Sequence, residues 1–135
     1  MMKKISDAVK RRMLKEARKV SENSYSPYSK FPVGSAVLTA DGKIFTGTNV
    51  ENASYGLTIC AERFAMGNAI AHSKEPIIAI ALFSPNSDIT PCGACRQFIN
   101  EFGKAIQVIY MENGKMTTKS SNELLPHYFS KNNLK

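Results

Sequence analysis

The chain has 135 residues, 43% of them hydrophobic, and a formal net charge of +7. That is enough to bury a core as one domain over 1–135 without disulfide staples, and the apolar content excludes wholesale disorder. The longest strongly apolar run, Pro76 to Phe83, is too short to span a bilayer, and no apolar signal-peptide core follows the opening Met-Met-Lys-Lys, so the expected compartment is the cytoplasm with no membrane partner.

Residues 3–20 carry Ile5, Ala8, Val9, Met13, Ala17 and Val20 at helical spacing, which predicts an amphipathic helix. The charge is concentrated there: Lys3, Lys4, Lys10, Arg11, Arg12, Lys15, Arg18 and Lys19 stand against only Asp7 and Glu16. A solvated helix face accounts for this better than a nucleic-acid surface. Residues 21–32, rich in Ser, Tyr, Pro and Asn, are a loop. Residues 33–40 and 43–49 are β-prone and flank Asp41-Gly42, a pair suited to a type I′ hairpin turn with positive φ at both positions. A second loop covers 50–59. Residues 60–73 read as a helix with Phe64, Ala65, Ala69 and Ile70 on one side, blocked from continuing by Pro76. Ile77 to Phe83 is a continuous apolar run, as a strand covered on both faces requires.

After a loop over 84–91 come a short helix over 92–102 and an apolar strand over 105–111. Asn113-Gly114 turns the chain into a weaker strand, 115–119, and Ser120-x-x-Glu123 has the form of a capping box opening a last short helix. Two helix-to-strand units imply parallel central strands, and helices must cover both faces of their sheet. The expected class is α/β: a three-layer α/β/α sandwich around a mixed sheet.

The chemistry gathers at Cys60-Ala61-Glu62 and Pro91-Cys92-Gly93-Ala94-Cys95, which hold every cysteine in the chain. An odd number of cysteines without a signal peptide argues against a disulfide framework. Each group opens a predicted helix, where free N–H groups and the dipole favour a thiolate, the form that binds metal. Cys92 and Cys95 are three apart and face one point in a first helical turn. Three protein ligands with a water in the fourth position is the catalytic zinc pattern, whereas a structural site closes with a fourth ligand. His72 and His127 are the only histidines; the first lies far along its helix from Cys60 and the second in the tail. One Zn2+ per chain on Cys60, Cys92 and Cys95 is therefore expected. Glu62, two residues from a ligand, is placed to take a proton from a water at the open position and return it to a substrate. Three thiolates overcompensate a divalent cation, and Arg63 is the candidate to offset them as a donor to sulfur.

Cys-x-Glu followed by Pro-Cys-x-x-Cys is the zinc-deaminase signature with cysteine where nucleic-acid deaminases carry histidine. The longer blocks around it, Tyr25-Ser26-Pro27-Tyr28-Ser29-Lys30-Phe31-Pro32-Val33-Gly34, Asn49-Val50-Glu51-Asn52-Ala53-Ser54-Tyr55-Gly56 and Pro91-Cys92-Gly93-Ala94-Cys95-Arg96-Gln97, resemble the small homotetrameric cytidine deaminases over nearly the whole chain. The resemblance implies hydrolysis of cytidine and deoxycytidine to the uracil nucleosides and ammonia, in pyrimidine salvage. It implies that Asn49 and Glu51 hold the ribose 3′-hydroxyl, that Phe31 stacks on the pyrimidine and that the Ala61 N–H binds the ring carbonyl. It also implies that Tyr55 and Phe129 reach a neighbouring subunit's site. Glu62 would deprotonate the attacking water, protonate N3 and then protonate the leaving amino group.

Three rivals remain. A deaminase of another aminopyrimidine nucleoside, such as blasticidin S, is disfavoured by Glu51, which that branch lacks. A structural zinc module binding RNA through its basic helix needs a fourth ligand. A dithiol oxidoreductase using Cys92 and Cys95 leaves Cys60 and Glu62 without a task.

Overall fold

The computed structural model describes residues 4–134; Lys3, with its expected place in the first helix and the basic cluster, lies outside the described residues. Five strands form one mixed sheet in the order β2-β1-β3-β4-β5. They are β1 (Gly34–Thr39), β2 (Ile44–Thr48), β3 (Ile77–Phe83), β4 (Gln107–Glu112) and β5 (Lys115–Ser120). Only β3 and β4 pair in parallel, the crossover between them being α3 (Gly93–Glu101); β1 lies antiparallel to both β2 and β3.

The period-two alternation of the strands separates two cores. Ala36, Leu38, Ala79, Ala81 and Ile109 point to one face and pack with Met13, Leu14 and Ala17 of α1 (Asp7–Ser21). Val37, Ile80, Leu82, Val108 and Tyr110 point to the other and pack with Ala65, Met66 and Ala69 of α2 (Ala61–His72) and Ile99 of α3. The expected three layers are thus present, with α2 and α3 sharing a face. A short α4 (Ser121–Leu124) follows β5, opened by the expected capping box between Ser120 and Glu123.

Several expectations need correction. The first helix begins at Asp7 because Ser6 caps it, its hydroxyl accepting from the Val9 N–H. Ala8 is exposed, whereas Leu14 is buried. On α2 the buried residues are Ala61, Glu62, Ala65, Met66 and Ala69, while Phe64 and Ile70 are exposed. The cause is close approach: a Cβ on Gly47 of β2 would lie 2.4 Å from the Ala65 nitrogen, so only small side chains fit between helix and strand. At Asp41-Gly42 only Gly42 has positive φ, so the turn is not type I′. The Gly42 N–H donates to the Thr39 carbonyl and the hairpin resumes through a longer loop. At Asn113-Gly114 both residues have positive φ (52° and 78°), and there the two-residue turn forms.

Arg11, Arg12, Lys15, Arg18 and Lys19 of α1 are exposed, Lys10 is half-buried, and Arg18 lies over the Phe83 ring. No helix among the described residues is long and apolar enough to cross a membrane.

Candidate active site

Cys60 is the residue before α2 and Cys92 the residue before α3, both with extended backbone, and Cys95 sits in the first turn of α3. Neither cap residue spends its side chain on a capping hydrogen bond, so both sulfurs are free to turn toward each other. The three Sγ atoms lie within 4.8 Å of one another, with Cys60 and Cys92 4.0 Å apart. Tetrahedral zinc with bonds of about 2.3 Å requires S···S separations of about 3.8 Å, so the trio fits the metal with small adjustment. Cys95 is buried, Cys60 half-buried and Cys92 exposed, which leaves one side of the cluster open.

Among the described residues no fourth ligand joins them. His72 has Nδ1 2.9 Å from the Asn68 carbonyl oxygen and stacks on Phe45. His127 lines a separate hollow with Lys104 and Tyr128.

The electrostatics favour a thiolate at Cys60. The Cys95 thiol donates to its sulfur first of all, and Arg63 and Cys92 add to that, holding the Cys60 thiol far below its usual range against the penalty of burial. Cys95 is pushed the other way as the partner that keeps its proton. Arg63 Nη2 is 3.8 Å from Cys60 Sγ, and its buried Nε has no hydrogen-bond partner among the described residues.

Glu62 is 4% exposed. Burial pushes its carboxyl up to about 7, with the Cys60 charge adding; its own backbone N–H, Cys95 and Arg63 pull down. A carboxyl near neutrality gives and takes protons with little free energy on either side.

These residues open onto a hollow of about 320 Å3, lined by Phe31, Asn49, Ala61, Glu62, Cys60 and Cys92 together with Ser29, Val33, Thr58, Ile89 and Thr90. Among the described residues no lysine or arginine lines it. A hollow of equal volume between α1 and the β1–β2 turn carries no cysteine, histidine or carboxylate and offers no comparable chemistry.

Asn49 is mostly spent on the protein. Its Oδ1 accepts from the Ser24 hydroxyl (2.5 Å) and the Val33 N–H (2.9 Å), and its Nδ2 donates to the Phe31 carbonyl (2.9 Å). One amide N–H remains free for a ligand. Glu51 lies in the adjoining hollow, with Tyr28 and Tyr55, and shares Ser29 and Thr58 with the first. Its Oε1 accepts from the Tyr28 and Ser29 N–H groups and its Oε2 from the Ser29 hydroxyl; that hydroxyl above all holds its carboxyl below the usual range. Tyr55 and Phe129 are 75% and 60% exposed at the surface.

The sequence reading missed the walls Thr58, Ile89 and Thr90, which come from loops with no local signal. Arg96 and Gln97 carry no task legible from sequence alone. Arg96 donates from Nε to the Pro91 carbonyl (2.8 Å), from Nη2 to Thr90 Oγ1 (3.2 Å) and from Nη1 to the Leu124 carbonyl (2.9 Å), which braces the turn that carries Cys92.

Comparison with known proteins agrees with this geometry. Residues 7–112 match the family described as "Cytidine and deoxycytidylate deaminase zinc-binding region". The chain is 48% identical over 121 residues to a protein of Dictyostelium discoideum named "Probable cytidine deaminase", covering 87% of this chain and 82% of that one. The crystal structure of cytidine deaminase from Burkholderia pseudomallei superposes with a TM-score of 0.83 at 41% identity, over 93% of this chain and 100% of that one. A more distant relative, the blasticidin-S deaminase of Bacillus cereus, is 30% identical over 77% of this chain and 81% of its own. With three convergent thiols, a buried carboxyl beside them and a match over most of its length, the chain belongs to the cytidine and deoxycytidylate deaminase family of zinc-binding enzymes.

Proposed function

We propose that the chain hydrolyses the 4-amino group of cytidine and deoxycytidine, giving the uracil nucleoside and ammonia. The observation that carries this reading is the buried Glu62 beside the three thiols, at the floor of a hollow free of lysine and arginine. Cys60, Cys92 and Cys95 would hold a zinc ion, which would supply a Lewis acid for the attacking water. Glu62 takes one proton of the attacking water and delivers it to N3 of the cytosine, then takes the remaining proton from the new C4 hydroxyl and passes it to the departing amino group, which leaves as ammonia while the C4 carbonyl forms. Its shift toward neutrality suits both directions of transfer. Phe31 and Ile89 form the apolar walls against which the pyrimidine lies. The Ala61 N–H, in a first helical turn with no acceptor of its own, meets the ring carbonyl. The free N–H of Asn49 and the remaining lone pair of Glu51 Oε2 serve the 3′-hydroxyl. Arg63 holds the Cys60 thiolate and moderates the negative charge of the ligand set.

A substrate 5′-phosphate would meet no lysine or arginine among the described residues lining the hollow and would approach the Glu51 carboxylate, which Lys30 offsets only in part. Cytidine 5′-phosphate is therefore expected to turn over at least about 100-fold more slowly than cytidine, a difference of about 2.7 kcal/mol in transition-state binding. Nothing in the hollow reads the 2′-position, so cytidine and deoxycytidine should have comparable kcat/KM. Loss of cytosine absorbance measures all three. Equal turnover of the phosphate would refute the nucleoside reading, and a strict preference for one sugar would refute the second statement. Blasticidin S in the same assay tests the rival: efficient turnover of it with inert cytidine would replace this reading.

The same proposal extends to a cytoplasmic homotetramer. Three metal-ligating thiols suit a reducing compartment. Tyr55, Leu57 and Phe129 leave large apolar surface in solvent that a second copy would cover. Sedimentation equilibrium is expected to give four chains per particle; a fully active monomer would overturn it.

A further inference from the structure

The C-terminal segment leaves α4 at Leu124, passes His127, whose φ of 55° is left-handed, and lies along the polar edge of α3. Three side chains of α3 donate to its backbone. Arg96 Nη1 reaches the Leu124 carbonyl (2.9 Å), Asn100 Nδ2 the Leu125 carbonyl (3.5 Å) and Gln97 Nε2 the Phe129 carbonyl (2.7 Å). α3 is the helix that carries Cys92 and Cys95. The Gln97 bond holds the backbone of Phe129 while the residue stays 60% exposed, so the amide fixes where the residue stands without covering it. Among the described residues no other hydrogen bond fixes the Phe129 backbone.

From this we infer that Gln97 is a positioning residue for substrate binding, acting only through Phe129. The inference rests on the reading, implied by the family resemblance, in which Phe129 reaches a neighbouring subunit's nucleoside site. Neither Gln97 nor Phe129 is among the described residues lining the two hollows of its own chain. The Gln97 hydrogen bond removes freedom from the Phe129 backbone before substrate arrives, so the aromatic ring is ordered in advance rather than at the expense of binding. Arg96 and Asn100 anchor the start of the same segment, but Arg96 also braces the Cys92 turn, so Gln97 is the residue whose effect can be isolated.

The test is a double-mutant cycle on cytidine turnover with Gln97→Glu, Phe129→Ala and their combination. Gln97→Glu keeps the size of the side chain and removes the donor. It is expected to raise KM about tenfold, with kcat within about twofold of the wild type and one zinc per chain retained. Phe129→Ala should raise KM at least as much, and the combined variant should be no worse than Phe129→Ala alone, since Gln97 has nothing left to position. Gln97→Lys, which restores a donor of similar reach, should recover most of the loss. Additive effects in the combined variant, or a lowered melting temperature with unchanged KM, would overturn the inference. If Phe129→Ala leaves KM unchanged, the pocket role of Phe129 fails. If it raises KM while Gln97→Glu does not, only the role of Gln97 fails.

Discussion

Replacing Glu62 by glutamine is expected to lower kcat/KM for cytidine by about 10³- to 10⁴-fold while zinc stays at one per chain. The first half follows from proton traffic. The reaction moves protons onto N3 and onto the leaving nitrogen, and among the described residues lining the hollow Glu62 is the one buried acid. General acid–base catalysis by a positioned group is worth about 10²- to 10⁴-fold, and a group used in two transfers sits at the upper end. The second half follows from placement: Glu62 is not a ligand, and glutamine has nearly the same shape. The folded protein should be no less stable, because a buried amide costs less than a carboxyl whose charged form burial disfavours. Metal content by atomic absorption, thermal melting and cytosine absorbance together decide the matter. Near wild-type turnover would remove Glu62 from the chemistry. Loss of zinc alongside activity would recast it as a support for the metal set.

How much of this was legible beforehand depended on where the signal lay. Ile77 to Phe83 was placed to the residue because a strand buried on both faces writes a continuous apolar run and Pro76 bounds it. The inward face of α2 was misjudged because the sequence favours its largest apolar residues, Phe64 and Ile70, whereas the contact with β2 is set by Gly47 opposite Ala65. That is a distance between two backbones, and no local pattern encodes it. Asp41-Gly42 and Asn113-Gly114 look alike in sequence, yet only the second forms the two-residue turn, since strand register decides loop length. The thiols were legible because they open two helices, whose N-termini the fold then brings together. Thr58, Ile89 and Thr90 were not, because loop residues join a site through tertiary closure alone. Gln97 was visible as a letter in a quoted block, but its task depends on a tail that meets it through the fold.

Substituting Cys95 by serine is expected to abolish both zinc binding and turnover, and to do so more completely than the same change at Cys92. Cys95 is buried in the first turn of α3, so its loss removes a ligand whose place solvent cannot readily take. Cys92 is exposed, and water can approach the vacated position there. The measurable contrast lies in stability as well as activity. A metal that binds the folded state alone stabilises it by RT ln(1 + [L]/Kd), about 4.1 kcal/mol at a thousandfold excess over Kd. Wild-type protein should therefore lose several degrees of melting temperature when a strong chelator is added. The Cys95→Ser variant should melt at the chelated wild-type temperature and be indifferent to the chelator. If the variant instead keeps one zinc and a chelator-sensitive melt, the three thiols are not the ligand set. If wild type itself is indifferent to chelation while losing its metal, the site contributes chemistry but little to the fold, and the two helix N-termini are held together by their packing on the sheet.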